Sequence, residues 1–392
     1  MLNTVPLAAP GKFDRFLGVD VDDMLAYCFD RGLLNGIVFG VIKDGEIRVG
    51  AAGSEVSESS SFELGSVTKV YTVELIDRLV EQGALSWEDP VVQYLPPDLR
   101  EHNVHESNLS TGPGRPIRLV DLANHHSGLP LMPPRMEIVE RDNTYGSLLR
   151  SGVEDYLRTV NLELPDNASF LYSNVGFAIL GYVIEEATGQ SYSELIETKL
   201  LQPLGLSKTK LSLVGQPLPD TVQGYNQGGR PVKRWTQAAF APAGALCSTV
   251  FDQLEWLKYF LENPRRRALG AGASVLTVQN VLGWEIHPLQ GSFYRSGLTG
   301  GFSSYCSIFP DKKLGFVVLA NRSTLYLMRA IALNIERQLR GLPSLPLKGD
   351  YGKMKSQAVD FIRRREVAGH VFHTIRETRL GEYLLEKIRR VI

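Results

Sequence analysis

The stretch Phe62-Glu63-Leu64-Gly65-Ser66-Val67-Thr68-Lys69 decides how the rest of this chain is interpreted. It leads into a segment whose apolar residues recur at helical spacing, which predicts a helix over residues 66–82. On that helix Ser66 and Lys69 share one face, so the lysine amine can reach the serine hydroxyl. A serine is a weak nucleophile until a base takes its proton, and a lysine buried in a cleft can share that work. The same residues also fit an ordinary helix with a serine N-cap.

Strand patterns lie on both sides of a long helical block. Residues 12–34 are predicted to form a helix, and an Asp44-Gly45 turn joins the first two strands. The predicted strands cover residues 37–42, 47–52, 284–287, 292–294, 303–309 and 314–319, and a helix over residues 325–339 follows them. This order predicts an α/β (α+β) fold: helices flank one antiparallel β-sheet built from both chain ends, with a mainly helical domain inserted.

The predicted domain boundaries follow from this arrangement. Residues 1–85 and 275–342 form the sheet domain, residues 86–274 form the helical domain, and a cleft lies between them. Residues 343–392 form a linker and a basic helical C-terminal extension, in which residues 347–392 hold 11 Lys or Arg and 6 Asp or Glu. Such an extension is expected to pack on the body or on a second copy of the chain; membrane or partner docking is the alternative.

Composition excludes several classes of function. The 392 residues carry a formal net charge of -1, so no overall field attracts nucleic acid. The three separated cysteines argue against a disulfide framework. The N-terminus has no secretory pattern and no apolar run could span a membrane, so we expect a cytoplasmic protein. His370 and His373 have no neighbours that complete a metal site, and we expect neither metal nor cofactor.

Two later motifs carry further candidate site residues. In Tyr172-Ser173-Asn174, a phenol held between cations can relay a proton, and the Asn174 amide can hold Lys69 and a substrate carbonyl. In Arg295-Ser296-Gly297, a cation, a hydroxyl and a glycine on an edge strand suit an extended acyl substrate. Alone, these motifs also fit a buried tyrosine beside an asparagine helix cap and a surface arginine beside a glycine-rich turn. Leu298-Thr299-Gly300 is an alternative register for the third motif.

In this order, S-x-x-K, Y-x-N and a cation-Ser-Gly triplet resemble the motifs of the serine β-lactamase and penicillin-binding protein superfamily. The chain is most similar in style to the class C β-lactamase branch, with its D-Ala-D-Ala carboxypeptidases and related esterases. Residues 62–65, 125–130 and 300–315 add to the resemblance, which covers roughly residues 30–340. The chain departs from the family at Arg295, where the third motif normally carries lysine.

The resemblance implies a role for each matching residue. It implies three catalytic residues, namely Ser66 as acylated nucleophile, Lys69 as its partner and Tyr172 as proton relay. It implies substrate binding by Asn174, Arg295, Ser296 and Gly297. It also implies an oxyanion hole formed by the backbone N–H groups of Ser66 and Leu298.

These roles predict a serine hydrolase or acyltransferase that works through a Ser66 acyl-enzyme without metal or cofactor. The expected partner is a small-molecule or peptide acyl substrate. The chain itself would then act as an esterase, a D-amino-acid peptidase or amidase, or a biosynthetic transacylase. Arginine cannot readily share a proton, so Arg295 predicts weak or no β-lactamase activity. The rival hypothesis is a non-catalytic binding or scaffold protein that keeps the fold. A homo-oligomer is a further expectation.

Overall fold

A computed structural model provides the coordinates of the protein. It describes residues 19–53, 55–103, 114–134, 143, 145–165, 169–216, 221–263, 280–287 and 292–342. Part of the predicted first helix, residues 12–18, lies outside the described residues. The predicted linker and basic extension, residues 343–392, also lie outside them.

Ten α-helices and fourteen strands lie in the described residues. The helices are α1 (Val19–Asp30), α2 (Thr68–Glu81), α3 (Pro97–Asn103), α4 (Leu119–Ala123), α5 (Arg150–Leu157), α6 (Asn174–Thr188), α7 (Tyr192–Ile196), α8 (Ala241–Gly244), α9 (Val250–Glu262) and α10 (Leu325–Leu339). The strands are β1 (Gly36–Lys43), β2 (Glu46–Gly53), β3 (Ser61–Glu63), β4 (Gly114–Pro116), β5 (Glu163–Pro165), β6 (Lys210–Leu211), β7 (Gly224–Tyr225), β8 (Pro231–Val232), β9 (Leu246–Thr249), β10 (Asn280–Val281), β11 (Trp284–His287), β12 (Ser292–Leu298), β13 (Ser303–Phe309) and β14 (Leu314–Ala320).

A seven-stranded antiparallel sheet forms the centre of the fold. Its strand order is β10-β11-β12-β13-β14-β1-β2. The hairpin β1–β2 turns at Asp44 and Gly45, whose φ angles of 52° and 85° suit a two-residue turn. Strand β1 pairs with β14 from the other end of the chain, so that Ile37 lies opposite Ala320. The prediction of one antiparallel sheet built from both chain ends is confirmed.

Helices cover both faces of the sheet because successive strand residues point in opposite directions. Ile37, Phe39 and Val41 pack with α1 and α10 in one core cluster. Val38 and Ile42 point the other way, into the larger core that contains α2 and α9. Burial of these alternating side chains fixes the strand register, since a slip by one residue would exchange the two faces.

Helix α9 lies directly on the sheet. An added β-carbon on Gly40 of β1 would meet Leu254 Cδ1 at 2.6 Å, so the helix and the strand need a glycine at their contact. The predicted boundary places this helix in the helical domain, at residues 86–274, but its apolar face packs on the sheet.

Helix α6 is apolar along most of its length, and its residues from Asn174 to Ile184 are buried. It begins where the Ser173 hydroxyl accepts a hydrogen bond of 2.9 Å from the Gly176 N–H. It ends at Gly189, which has a left-handed φ of 67°. This capped start holds the Tyr172-Ser173-Asn174 motif at one end of a rigid buried helix.

The described part of the chain contains no helix that is both long enough and apolar enough to cross a membrane. Cys28, Cys247 and Cys306 are buried free thiols. Cys306 lies on β13 with no exposed surface, in the larger core cluster.

Candidate active site

Ser66 lies where the end of β12 touches the start of α2. Gly65 has a left-handed φ of 50°, and an added β-carbon there would lie 2.8 Å from Leu298 N. The chain makes a 3-10 turn over Gly65–Val67 before α2 begins at Thr68, two residues later than predicted. No side chain caps this turn or this helix. The N-cap interpretation of Ser66 is therefore wrong, and its hydroxyl instead contacts Lys69 and Tyr172.

Lys69 is completely buried and contacts three oxygen atoms. Its Nζ donates to Ser66 Oγ at 3.3 Å, to Asn174 Oδ1 at 2.7 Å and to the Ala243 carbonyl at 2.6 Å. Burial lowers the pKa of Lys69 to about 8; Tyr172 opposes this effect and Arg295 adds to it. An amine with this pKa can exchange a proton near neutral pH, as a lysine that assists a nucleophile must.

Tyr172 lies between the two cations of the site. Its hydroxyl donates a hydrogen bond of 2.7 Å to Ser66 Oγ and accepts one of 3.1 Å from Arg295 Nη2. Burial acts to raise the pKa of Tyr172, but Lys69 and Arg295 together outweigh it, so the pKa lies below its usual value. The lowered pKa makes it easier for the Tyr172 phenol to lose its own proton, and the resulting phenolate can accept the proton of Ser66.

Arg295 reaches the cluster from β12 and is 1% exposed. Its Nε donates to the Ser66 carbonyl at 3.3 Å, and its Nη1 lies 3.5 Å from Glu285 Oε1 on β11. These contacts, together with Tyr172, support the register in which Arg295 is the third-motif cation and not the alternative at Leu298-Thr299-Gly300. No short motif marks Glu285, because only the pairing of β11 with β12 brings it to the arginine.

His125 is a second residue that the sequence did not place in the site. It follows α4 with a φ of 59° and is fully buried, and its Nδ1 accepts a hydrogen bond of 3.1 Å from the Ser173 N–H. Its ring lies 4.4 Å from the ring of Tyr172. Burial, then Arg295 and Lys69, lower the pKa of His125 far below its usual value. A neutral His125 therefore packs against Tyr172 as a structural neighbour and not as a second base.

Asn174 links Lys69 to an aromatic part of the cleft. Its Oδ1 accepts from Lys69, and its Nδ2 donates a hydrogen bond of 2.8 Å to the Tyr145 hydroxyl. This pair of bonds fixes the orientation of the amide, because oxygen must face the ammonium group and nitrogen must face the phenol.

Strand β12 is not an edge strand of the sheet, contrary to prediction, but part of it behaves as one. It pairs with β13 over residues 293–298 and with β11 only over Ser292–Tyr294. Within the described residues, the segment from Arg295 to Leu298 therefore has no strand partner on its β11 side. This half of the strand lies beside Ser66 and can pair with an extended substrate.

The structure does not bring the Ser296 side chain into the Ser66 cluster. Side chains alternate along β12, so Arg295 faces Ser66 while Ser296 faces α10. There its Oγ accepts a hydrogen bond of 3.0 Å from Arg329 Nη2. This geometry argues against the predicted substrate contact of the Ser296 hydroxyl.

Gly297 allows β12 to approach the nucleophile. An added β-carbon would overlap the Leu64 carbonyl oxygen and lie 3.0 Å from Ser66 N. The close approach brings Ser66 N and the Gly297–Leu298 segment together, as the predicted oxyanion hole of Ser66 and Leu298 N–H groups requires.

We expect Gly297→Ala to lower the free energy of unfolding by about 3 kcal/mol, because neither Leu64 O nor Ser66 N can yield without backbone movement. The same movement should lower activity by about tenfold or more by displacing the oxyanion donors. Thermal melts and rates of ester hydrolysis measure both effects. The control is Gly228→Ala in the exposed turn after β7, where an added β-carbon would meet only Asn226 Oδ1, at 3.4 Å. A fully stable and active Gly297→Ala enzyme would contradict this role.

Comparison with known proteins agrees with this geometry. The family model described as Beta-lactamase matches residues 21–336. The chain therefore belongs to the beta-lactamase family, and it is a serine hydrolase of the β-lactamase type. The resemblance inferred from the three ordered motifs is confirmed.

The similar proteins are distant but cover most of the chain. A beta-lactamase of Pseudomonas fluorescens is 27% identical over 353 residues, covering 77% of this chain and 93% of the relative. The D-alanyl-D-alanine-carboxypeptidase/endopeptidase AmpH of Escherichia coli K12 is 27% identical over 359 residues, which cover 83% of this chain and 89% of the relative. A class C beta lactamase structure from Rhodobacter sphaeroides has a TM-score of 0.65 at 24% identity, and the match covers 82% of this chain and 98% of the Rhodobacter chain. This last comparison shows the shared fold.

Proposed function

We propose that this chain cleaves an ester, amide or peptide substrate through an acyl-enzyme on Ser66, and that it has weak or no β-lactamase activity. One observation carries the proposal: the Tyr172 hydroxyl lies 2.7 Å from Ser66 Oγ while Lys69 and Arg295 both lower its pKa. A scaffold that had lost catalysis would have no use for two buried cations around one phenol, since each costs desolvation energy.

The reaction follows from the contacts of Ser66. Tyr172, deprotonated beside Lys69, takes the Ser66 proton as Oγ attacks the carbonyl carbon. The backbone N–H groups of Ser66 and Leu298 stabilise the oxyanion. Tyr172 then returns the proton to the leaving alcohol or amine, and the acyl group stays on Oγ. In the second half Tyr172 takes a proton from water, or from an acceptor alcohol or amine, as its oxygen or nitrogen attacks the ester carbonyl. Tyr172 then returns that proton to Ser66 Oγ as the bond between Oγ and the acyl carbon breaks, which restores the free serine and leaves Tyr172 deprotonated as at the start.

Arg295 supports Tyr172 in this scheme and does not bind a substrate carboxylate. Its side chain is 1% exposed, its Nε and Nη2 donate hydrogen bonds to Ser66 O and to the Tyr172 hydroxyl, and its Nη1 lies at the ion-pair distance of 3.5 Å from Glu285. A guanidinium remains charged at all working pH values, so it holds the phenolate without exchanging protons. This enclosed cation supports the proposal of an esterase, amidase or transacylase over that of an efficient β-lactamase.

The test is covalent labelling followed by intact mass and peptide mapping. A fluorophosphonate probe should add one equivalent to the wild-type chain, on the peptide that contains Ser66. Nitrocefin, p-nitrophenyl acetate and a D-alanyl-D-alanine peptide, compared under one condition, then separate the activities. Absence of an adduct with every probe would leave the non-catalytic binding protein as the better hypothesis, and rapid nitrocefin turnover would refute the weak β-lactamase activity.

We expect kcat/KM to rise with pH and level off above about pH 8. The Lys69–Tyr172 pair must lose one proton before it can accept that of Ser66, and burial places the pKa of Lys69 at about 8. Below that pH the rate should fall about tenfold per unit. Rates with p-nitrophenyl acetate, corrected for spontaneous hydrolysis, give the profile. If kcat/KM instead rose near the ordinary pKa of histidine, His125 would be the indicated base. The pKa of His125 lies far below that value because the residue is buried, so we do not expect this outcome.

A further inference from the structure

Glu63 is a buried carboxyl group that the proposed catalytic cycle does not use. It lies on β3, three residues before Ser66, and is 3% exposed. Its Oε1 accepts a hydrogen bond of 2.8 Å from the Trp235 N–H. Its Oε2 and the Thr299 hydroxyl are buried without a well-formed hydrogen bond to any described group, although that hydroxyl is near enough to act on the carboxyl. A carboxylate in such surroundings is costly, which favours the uncharged acid.

The strand that carries Glu63 leads directly to the first oxyanion donor. Leu64, the next residue, is held on both sides: its N–H donates a hydrogen bond of 2.8 Å to the Leu246 carbonyl, and its own carbonyl accepts one of 2.7 Å from Ser304 Oγ. One residue separates Leu64 from Ser66, whose N–H is the predicted donor. A shift of Glu63 would therefore be passed on to the Ser66 backbone.

The Glu63 carboxyl is also linked to the second predicted oxyanion donor, Leu298. Thr299, whose hydroxyl acts on the carboxyl, directly follows Leu298 and is 3% exposed. The Trp235 indole packs on the same turn, since an added β-carbon on Gly300 would lie 2.6 Å from its Nε1. Through these two neighbours Glu63 can position the Leu298 N–H relative to the nucleophile.

The charge of Glu63 can change within the working pH range. Burial raises the pKa of Glu63 to about 7, although the Thr299 hydroxyl, the Trp235 N–H and Arg234 each oppose this effect. Cys247, which lies opposite Glu63 on β9, stays a neutral thiol because burial raises its pKa far above its usual value. Below about pH 7 the carboxyl is therefore uncharged, and above it a negative charge is added near the place where the oxyanion forms.

We propose that Glu63 is a positioning residue: as an uncharged acid it holds together the two backbone segments that carry the oxyanion donors, and its ionisation weakens the oxyanion hole. The proposal rests on the proposed Ser66 acyl-enzyme and adds a regulation of that site by pH. The reason is electrostatic, because a carboxylate near the donors repels the negative charge that develops on the substrate carbonyl oxygen in the transition state. An effect on the transition state should change kcat and leave KM nearly constant.

The experiment compares Glu63→Gln with the wild type from about pH 5 to pH 9, with p-nitrophenyl acetate as the substrate. Glutamine keeps the carbonyl oxygen that accepts from the Trp235 N–H, but it cannot ionise. We expect the ratio of kcat/KM, variant to wild type, to lie near one below about pH 6 and to rise to about three- to fivefold above about pH 8. Glu63 ionises below the pKa of Lys69, which is about 8, so the wild-type profile still rises to a plateau, but a lower one.

A second buried acid provides the matched control. Glu336 on α10 is 2% exposed, and burial raises its pKa to about 7 as well. Both acids bind their proton more tightly in the folded than in the unfolded chain, so the wild type should lose stability as the pH rises from about 4.5 to about 7. In thermal melts Glu63→Gln and Glu336→Gln should each lose less stability over this range. Only Glu63→Gln should change the ratio of kcat/KM.

The outcomes separate this proposal from the proposed function. Acylation of Ser66 with a ratio that is constant across the pH range, or that falls at high pH, would overturn the role of Glu63 and leave the acyl-enzyme intact. Failure of every ester and of the fluorophosphonate probe to label Ser66 would remove the proposed function itself. If Glu63→Gln does not fold, Thr299→Val removes the hydroxyl that lowers the pKa of Glu63. Its rate should then exceed that of the wild type by about twofold between about pH 7 and pH 8, and a ratio of one throughout would overturn the proposal.

Discussion

Ser66→Ala is expected to abolish acyl-enzyme formation and to lower kcat/KM for ester substrates by about 10⁴-fold or more. The hydroxyl oxygen is the atom that forms the new bond to the acyl carbon, and the contacts of Lys69 and Tyr172 converge on it. Without it these two residues have no proton to move, and only the oxyanion donors and binding contacts remain.

The same substitution should leave the fold intact. The Ser66 side chain caps neither the 3-10 turn nor α2, and the residue is only partly buried. We expect the free energy of unfolding to change by less than about 1 kcal/mol, as for most substitutions outside the core. Intact mass after fluorophosphonate treatment, ester kinetics and thermal melts measure these effects, and Ser59→Ala in the exposed loop before β3 is the matched control. Labelling of Ser66→Ala at the wild-type rate would mean that another residue is the nucleophile.

Local patterns determined most of what could be predicted about the fold. The strands β1, β2, β13 and β14 and the helix α10 were found within one residue of their observed ends, because period-two and helical apolar patterns are local signals. That strands from both chain ends join one antiparallel sheet followed from the order of strand and helix patterns, whereas the particular pairing of β1 with β14 is known only from the structure. The place of α9 on the sheet could not be predicted, since it depends on a close contact with Gly40 that no local pattern reveals.

The site was predictable to the extent that its residues lie in motifs. Lys69, Tyr172, Asn174 and Arg295 were found by spacing and order. The structure brings Lys69, Tyr172 and Arg295 into contact with Ser66, and Asn174 into contact with Lys69. Glu285 reaches the site only through the pairing of β11 with β12, and no short pattern marks it. His125 lies in the 125–130 stretch that resembles the family, but that stretch does not reveal its contact with the Tyr172 ring. Ser296 shows the opposite error: it belongs to the motif, but strand alternation turns its side chain toward Arg329.

Lys69→Met is expected to lower kcat/KM by about 10³-fold or more at neutral pH, while the protein still folds. Methionine has a similar length but no charge and no donor, so Asn174 Oδ1 and the Ala243 carbonyl lose their hydrogen bonds. Two unpaired acceptors cost about 1–3 kcal/mol each, and this cost is partly offset because an apolar side chain avoids the desolvation of a buried ammonium group. We therefore expect a lower melting temperature without loss of the cooperative transition.

The pH profile distinguishes a catalytic Lys69 from a merely structural one. The charge of Lys69 helps to lower the pKa of Tyr172, so its removal should raise that pKa, and the rising limb of kcat/KM should move to higher pH. The residual activity should then recover partly in alkaline buffer, where Tyr172 can lose its proton without help. A structural defect alone would lower the rate equally at every pH. Lys199→Met, at an exposed lysine outside the cleft, should keep both the wild-type rate and the wild-type profile. An unshifted profile in Lys69→Met would show that the lysine does not act through Tyr172 and would leave Arg295 as the only cation that sets its proton affinity.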